Sequence, residues 1–187
     1  RQGLASGDNN RFVRSWHEVS TLSIKFDATT NEHTIRSSRK WFPYNKGGDY
    51  RKWYGNQSFV VNWENDGQEI RNFFGEDGRL RSRPQNTNYF FREALSWSKI
   101  TSGGFSLRFF PSGFVFDVAG CSIFFESTRL LKTILGIMNS PIMNGAINSL
   151  SPTLNFEVGH VANFPLTNQS IQQQDSTIDL IDNLVSI

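Results

Sequence analysis

The stretch Lys40–Gly67, KWFPYNKGGDYRKWYGNQSFVVNWENDG, carries three of the chain's five tryptophans and four of its nineteen Lys and Arg residues. Within it, Gln57–Trp63 has the β-branched and aromatic content of a strand, bounded by Gly55 and by the turn Asn65-Asp66-Gly67. Aromatic rings beside cations suit a surface that meets a polyanion, because base stacking and phosphate neutralisation need both chemistries together. The stretch therefore predicts a core strand next to a candidate nucleic-acid contact.

C-terminal to this stretch, short strand-like runs are followed by helical patterns. Phe105–Phe110, Phe114–Val118 and Ser122–Glu126 are separated by Gly and Pro residues and predict successive antiparallel strands. Apolar residues then recur at helical spacing from Thr128 to the stop at Asn139-Ser140-Pro141, and a second helix is expected over Ile142–Leu150. The pattern predicts an α+β fold with a β-rich body, an antiparallel or mixed sheet, and helices toward the C-terminus.

The end of the chain has a different character. Leu154–Leu166 predicts extended chain, whereas Ile171–Val185 is amphipathic and acidic and predicts a spacer-like helix. A length of 187 residues suits one main domain. We therefore expect a domain over residues 1–166 and the start of a spacer or linker helix over 167–187.

The charge is unevenly distributed, although the whole chain has a formal net charge of only +2. Residues 36–108 carry thirteen basic and seven acidic side chains, whereas residues 109–187 carry two basic and six acidic ones. An excess of cations confined to the middle of the chain favours a directed basic surface over an evenly solvated one.

The cysteine count and the hydropathy restrict the compartment. The chain has one cysteine, Cys121, so it cannot form an internal disulfide, and it contains neither a run of eighteen apolar residues nor a charged-then-apolar leader. We expect a cytoplasmic protein with no membrane partner. Because the chain starts at Arg1 rather than Met and stops within a helical pattern at Ile187, we also expect it to be part of a longer polypeptide.

Motifs for chemistry are absent from the sequence. Lys46-Gly47-Gly48 lacks the spacing and the following Ser or Thr of a phosphate loop, and His17, His33 and His160 are isolated from one another and from the cysteine. No nucleophile elbow occurs. We therefore expect no catalytic residues, no metal site and no cofactor site within this chain.

Recognition of nucleic acid is what remains. Lys and Arg neutralise phosphates, while Arg, Asn and Gln form bidentate hydrogen bonds with base edges. Arg79, Arg81 and Arg83 alternate, so an extended chain would direct them to one side. The candidate DNA-binding residues are Lys46, Arg51, Lys52, Tyr54, Asn56, Arg79, Arg81, Arg83, Gln85 and Asn86.

Replacing Arg51 and Lys52 together is expected to weaken DNA binding with little loss of stability. Trp41, Trp53 and Trp63 are assigned to the core rather than to base stacking, because of their large apolar area.

Four stretches together resemble a known family. They are GLASGDNNRFVRSWHEV (3–19), the central stretch extended to Phe73, SRPQNTNYFFREALSWSKITSG (82–103) and ILGIMNSPIMNGAINSLSPTLNFEVGHVANFPL (134–166). The combination resembles the C-terminal target-recognition region of the BREX-system, PglX-type adenine-specific DNA methyltransferases, which are related to type IIG restriction-modification enzymes. The resemblance covers nearly the whole chain.

The resemblance implies a parent enzyme that transfers a methyl group from S-adenosylmethionine to adenine N6 in a specific duplex sequence, in defence against phage. The catalytic tetrapeptide of the Asn-Pro-Pro-Tyr type is absent here, and Phe42-Pro43-Tyr44-Asn45 lacks its leading Asn and second Pro. The implied partners are double-stranded DNA, the N-terminal methyltransferase domain of the same polypeptide and other components of the defence system. The methyl donor would bind outside this chain.

Two alternatives stay open at this point. One is half of a type I restriction specificity subunit, which joins similar recognition domains by spacer helices. The other is a non-catalytic carbohydrate- or protein-binding β module, whose tryptophans would stack on sugars or on a partner.

Overall fold

The structure, a computed structural model, describes residues 1–150, 154–164 and 175–185. Its strands are β1 (Val13–Ser15), β2 (Trp41–Asn45), β3 (Phe59–Asn62), β4 (Ala94–Ser98), β5 (Arg108–Phe110), β6 (Val115–Phe116) and β7 (Gly120–Ile123). Its α-helices are α1 (Asn9–Phe12), α2 (Asn31–Arg36), α3 (Glu64–Arg71), α4 (Thr128–Met138), α5 (Pro141–Leu150), α6 (Val158–Ala162) and α7 (Asp175–Val185). The predicted α+β class is confirmed. None of these helices has the length and hydropathy needed to cross a bilayer.

The first sheet has the strand order β1-β3-β2-β6. β3 pairs antiparallel with both β1 and β2, with Val61 opposite Val13 on one side and Phe42 on the other. β6 joins the far edge of β2 in parallel, with Val115 opposite Tyr44. The sheet is therefore mixed, and the strand predicted within Gln57–Trp63 lies at its centre.

The second sheet has the order β5-β4-β7 and is antiparallel throughout. Only two of the three runs predicted as successive antiparallel strands belong to it, and they flank β4 instead of pairing with each other. The remaining run, Phe114–Val118, contains β6 of the first sheet. Expecting neighbouring runs to pair in succession was wrong, because the turn at Pro111-Ser112-Gly113 carries the chain from one sheet to the other.

Each sheet covers its own buried cluster. Phe12, Phe42, Val61 and Trp63 belong to the cluster of the first sheet. The cluster of the second sheet includes Leu95, Trp97 and Phe105 together with apolar residues of the C-terminal helices. Of the tryptophans assigned to the core, Trp63 is fully buried, whereas Trp41 and Trp53 are half-buried.

Helix α4 forms where its pattern predicts. The Ser127 hydroxyl caps its N-terminus by accepting from the Leu130 amide, and Leu131, Ile134 and Leu135 present one apolar face to the second cluster. Helix α7 packs on α4 through Ile181 and through the ion pair between Lys132 and Asp182. The predicted helix over Ile171–Val185 is present from Asp175, and its first residues lie outside the described part of the chain. The predicted extended chain over Leu154–Leu166 instead contains α6.

Helix α3 begins in an unexpected way. Asn65, Asp66 and Gly67, in its first turn, are left-handed, with φ values of 50°, 57° and 72°. A Cβ atom on Gly67 would lie 2.7 Å from the Trp63 ring. Glycine is therefore required there by both its φ and its close approach to the core.

Asn45, at the end of β2, joins the two sheets. Its buried Nδ2 donates to Ser96 Oγ of β4 at 2.7 Å and lies 3.4 Å from Ser122 Oγ of β7. Its Oδ1 accepts from the Gly47 amide at 3.3 Å. One carboxamide therefore satisfies polar groups of both sheets and of the loop that follows β2.

Replacing Asn45 by Ala should cost about 3 kcal/mol of unfolding free energy, because several buried polar groups lose their partner at once. Urea denaturation measures this loss. Asn88→Ala is the matched control, since Asn88 is exposed and its side chain makes no hydrogen bond with the described residues; it should change stability by less than about 0.5 kcal/mol. Equal effects of the two substitutions would contradict the junction role of Asn45.

Candidate nucleic-acid interface

The loop between β2 and β3, residues 46–58, carries five of the ten predicted DNA-binding residues. It is fixed to the second sheet by backbone hydrogen bonds, from Trp53 N to Leu107 O at 3.0 Å and from Phe109 N to Trp53 O at 2.8 Å. Asn56 Nδ2 donates to Asp49 O at 2.8 Å, which closes the loop on itself. The Tyr54 hydroxyl donates to Gln57 Oε1 at 2.9 Å. These contacts hold the loop in a defined shape.

Arg51 and Lys52 are neighbours in this loop with different environments. The Arg51 side chain is exposed and forms no hydrogen bond or ion pair with any residue that the structure describes. Lys52 is half-buried, and its Nζ donates to Asn139 O at 2.7 Å. Asn139 is the C-cap of α4, so this ammonium lies at the negative end of the helix dipole. Lys52 therefore has a structural partner, whereas Arg51 does not.

Lys46 begins the loop and faces a different concavity. This concavity has a volume of about 400 Å³ and is lined by Lys46, by the N-terminal residues 5–9 and by residues 117–119. No hydrogen bond of its ammonium to a described residue is present. Burial raises the pKa of the nearby Asp117 carboxyl group, and the positive charge of Lys46 offsets a part of that rise. Lys46 is available for an outside contact.

The second group of predicted residues lies in residues 79–86. Arg79, Arg81 and Arg83 are exposed and Ser82 between them is buried. Arg81 forms an ion pair with Asp77 at 3.0 Å, whereas the guanidinium groups of Arg79 and Arg83 have no partner among the described residues. All three arginines are thus exposed, with one of their charges already paired; that they form a contact strip for DNA stays a prediction.

The carboxamides of Gln85 and Asn86 face inward. Gln85 Nε2 donates to Gly3 O at 3.4 Å, and Asn86 Nδ2 donates to Gln2 O at 2.8 Å. Asn86 Oδ1 also accepts from the Arg1 guanidinium at 3.2 Å. In this structure both side chains hold the N-terminal segment, and each amide nitrogen already donates one hydrogen bond there.

The two groups are linked through the N-terminal segment. Ala5 and Arg83 exchange both backbone hydrogen bonds, Leu4 N donates to Phe116 O at 2.8 Å, and Asp117 N donates to Asn45 O at 2.9 Å. Backbone hydrogen bonds thus connect residue 83 to residue 5, residue 4 to residue 116, and residue 117 to residue 45. The segments that carry Lys46 and Arg83 are thus joined through residues 4–5 and 116–117, while Arg51 belongs to the part of the loop that pairs with β5.

A further polar surface was missed in the sequence. A concavity of about 510 Å³ is lined by the side chains of α3 and of neighbouring segments: Arg11, Asn62, Glu64, Asn65, Gln68, Glu69, Asn72, Phe73 and Phe74. Arg11 pairs with Glu69 at 2.8 Å, and both are exposed. The spacing of Gln68 and Asn72, four residues apart on a helix, is the signal that could have indicated it.

Metal and nucleophile sites remain unsupported by what is described. Within residues 1–150, 154–164 and 175–185, no group of three or more His, Cys, Asp or Glu residues is placed to hold a metal ion. Burial raises the pKa of the Cys121 thiol to about 11, which keeps it protonated at neutral pH. Phe42-Pro43-Tyr44-Asn45 is buried in β2, where the Tyr44 hydroxyl donates to Asp117 Oδ2.

Stability measurements distinguish the structural role of Lys52 from that of Arg51. Lys52→Met keeps the aliphatic stem but removes a charged hydrogen bond, so we expect a loss of about 1–2 kcal/mol in unfolding free energy. Arg51→Gln should change it by less than about 0.5 kcal/mol. The joint replacement is thus expected to lose stability through Lys52, contrary to the expectation from the sequence. Equal losses in urea denaturation of the two single variants would refute this separation.

Asp117 and Glu69 should affect stability with opposite dependence on pH. Burial raises the pKa of Asp117 above its ordinary 3.8, so its contribution is full below that value and is lost as pH rises through the raised pKa. The Arg11 hydrogen bond lowers the pKa of Glu69 below its ordinary 4.5, so its contribution is present above that value and is lost as pH falls.

Urea denaturation across the acid range tests this pair against Asp117→Asn and Glu69→Gln. The unfolding free energy of the original chain, relative to Asp117→Asn, should fall as pH rises. Relative to Glu69→Gln, it should fall as pH decreases. Differences that change in the same direction would contradict the assignments.

The chain is similar in sequence to adenine-specific methyltransferases. No family model matches it. It is 43% identical, over all 187 residues, to the adenine-specific methyltransferase PglX of Lacticaseibacillus casei (strain Zhang), and 38% identical over 163 residues to the adenine-specific methyltransferase BrxX of Escherichia coli O9:H4 (strain HS). The chain spans 15% and 12% of the length of these relatives. It is a homologue of the C-terminal region of the PglX and BrxX adenine-specific methyltransferases.

Proposed function

We propose that the chain is the DNA sequence-recognition domain of an S-adenosylmethionine-dependent, site-specific adenine-N6 DNA methyltransferase that acts in BREX-type phage defence. The observation that carries the proposal is the 43% identity to a methyltransferase over the full 187 residues, combined with a match to only 15% of that relative. A part of this size without catalytic motifs is suited to recognition, and the methyl transfer belongs to the rest of the polypeptide.

The charged groups that are free in the structure support this role. The cationic groups of Lys46, Arg51, Arg79 and Arg83 have no hydrogen bond or ion pair within the described residues. Backbone hydrogen bonds hold the segments that carry three of them: Trp53 bonds to Leu107 and Phe109 beside Arg51, Arg79 bonds to Gly75, and Arg83 bonds to Ala5. Their attachment points are therefore fixed before DNA arrives. Phosphate contacts from such cations position a protein on duplex DNA and make its affinity depend on salt.

The methyl donor and the target adenine are assigned to the remainder of the enzyme. The buried position of Phe42-Pro43-Tyr44-Asn45 in β2 leaves no open edge on which an adenine could rest. S-adenosylmethionine would therefore bind an N-terminal methyltransferase domain, which is this chain's partner within one cytoplasmic polypeptide together with duplex DNA and other components of the defence system. The domain is taken to extend over residues 1–166, with 167–187 beginning a spacer helix.

Duplex-binding titrations at several salt concentrations test the proposal. Replacing Arg51, Arg79 and Arg83 by Gln should weaken binding and reduce the slope of log affinity against log salt by about 0.9 for each phosphate that is no longer neutralised. Arg36→Gln is the matched control, since Arg36 is also exposed and without a partner among the described residues but lies on α2, outside both groups of candidate residues. Affinity that is independent of salt, or an equal effect of the control, would overturn the proposed contacts.

The alternative, half of a type I restriction specificity subunit, would contact DNA in the same way. It differs from the proposed function in the complete polypeptide, which would carry no methylase motif. A methylase motif upstream in the same polypeptide favours the fused enzyme, as does the identity to PglX. Sequencing the complete parent gene distinguishes the two.

A carbohydrate- or protein-binding module has one observation in its favour. A concavity of about 440 Å³ is lined mainly by aromatic and proline side chains, including Trp16, Phe26, Pro43, Phe59 and Phe114. Trp16 and Phe26 are 47% and 55% exposed. Binding to glycans without affinity for duplex DNA would favour this second candidate.

A further inference from the structure

Arg108 is a buried cation without a carboxylate partner. Its side chain is 0% exposed, and its guanidinium donates to Ser98 Oγ at 3.0 Å, Arg51 O at 3.3 Å and Ser106 Oγ at 3.4 Å. Its Nε is buried and has no acceptor. None of the described Asp or Glu residues forms an ion pair with it. A buried guanidinium normally has such a partner, because an uncompensated charge is costly away from water.

This charge lies directly beneath the loop of residues 46–58. Trp53 and Arg108 are bridge partners, and Ser98, which accepts from Arg108, donates to Gly48 O at 2.6 Å. Arg108 therefore holds both Gly48 and Arg51 by their carbonyl groups, one of them through Ser98. Burial and the nearby positive charge of Arg51 lower the pKa of Arg108 to about 10, so the side chain remains protonated at neutral pH.

The outer surface of the same loop is concave. A concavity of about 520 Å³ is lined by residues 51–58 and by Leu184 of α7. The Arg51 side chain folds over Gly55, where an added Cβ would lie only 2.9 Å from Arg51 Cδ. The loop's carboxylate, Asp49, is exposed and forms no ion pair with Arg51 or Arg108 in the described structure, and Asp182 of α7 is paired with Lys132. Two like charges, one exposed and one buried, thus share this site without a described anion to balance them.

We propose that this concavity binds a single phosphate group, with Arg51 as its direct ligand and Arg108 as the buried positioning residue that fixes the loop and supplies the balancing charge. The inference rests on the proposed function, under which the phosphate belongs to the DNA backbone. An oxyanion at Arg51 would relieve the repulsion between the two guanidinium groups and would compensate the buried charge at low dielectric. The partially buried Lys52 adds a third positive charge at the edge of the site.

Inorganic phosphate is the probe, titrated at constant ionic strength against chloride into the 187-residue chain labelled with ¹⁵N-arginine. The Nε–H resonances of Arg51 and Arg108 should shift in a saturable way with one shared dissociation constant. Arg79, which is exposed and lies in the other group, should not show saturation. An Arg51 resonance that does not saturate overturns the proposal, and this measurement requires no variant.

Variants test the two roles separately. Arg51→Gln should weaken phosphate binding about tenfold, as expected for loss of a charged hydrogen bond. Arg108→Met should weaken it to a similar extent although residue 108 does not touch the ligand, while Arg108→Lys, which keeps the charge, should retain more of the affinity. A folded Arg108→Met variant with unchanged phosphate affinity refutes the role of Arg108. If that variant does not fold, the titration of the original chain and Arg51→Gln decide the proposal.

Failure of this inference can be told apart from failure of the proposed function. Duplex binding with no saturable phosphate site would leave the function and remove the site. Saturable phosphate binding without any affinity for duplex DNA would leave an anion site and remove the DNA-recognition role.

Discussion

The buried carboxamide of Asn45 is the group on which the arrangement of the two sheets depends. It ends β2, bonds to Ser96 in the other sheet, and orients the Gly47 amide at the start of the loop 46–58. The approach is so close that a Cβ on Gly120 would lie 2.4 Å from Asn45 O. A buried polar group of this kind is stabilising only when its hydrogen bonds are made, so it selects one relative placement of the sheets. The placement of the basic loop follows from that selection.

The same loop combines a structural and an exposed half. Its backbone extends the edge of the second sheet, and Lys52 is bonded to the C-terminal end of α4, while Arg51 is left in solvent. This division is a physical consequence of geometry, because a backbone paired with β5 directs neighbouring side chains to opposite faces. A cation on a fixed backbone loses less conformational entropy on binding than one on a free loop. The fold therefore pre-organises part of the charge that the composition places in residues 36–108.

The elements that could be predicted from sequence are those determined by local interactions. Helix α4 depends on its Ser127 cap and on apolar spacing within eleven residues, and β3 depends on a run of β-branched and aromatic side chains. The parallel pairing of β6 with β2 joins residues about seventy positions apart, which no local pattern encodes. The candidate DNA-binding side chains could also be named, but whether each is free depends on distant partners: Asn139 for Lys52, Gly3 for Gln85 and Gln2 for Asn86. The burial of Arg108 could not be predicted from the sequence either, because basic residues in strands are usually exposed.

The division between free and engaged side chains has a consequence for how specificity could arise. Cations such as Arg79 and Arg83 suit phosphates, but phosphate contacts carry no direct sequence information. Base edges are read best by Arg, Asn and Gln, and the carboxamides of Asn56, Gln85 and Asn86 already donate to backbone carbonyls within the chain. Under the proposed function, a base contact that needs the same N–H would have to replace that internal hydrogen bond. The exposed carboxamides at α3 differ in this respect. Asn72 donates to Gln68 O, whereas the Gln68 side chain makes no hydrogen bond with a described residue and could contact a base without losing one. Under the proposed function, the surface best suited to reading bases thus differs from the one best suited to holding the backbone.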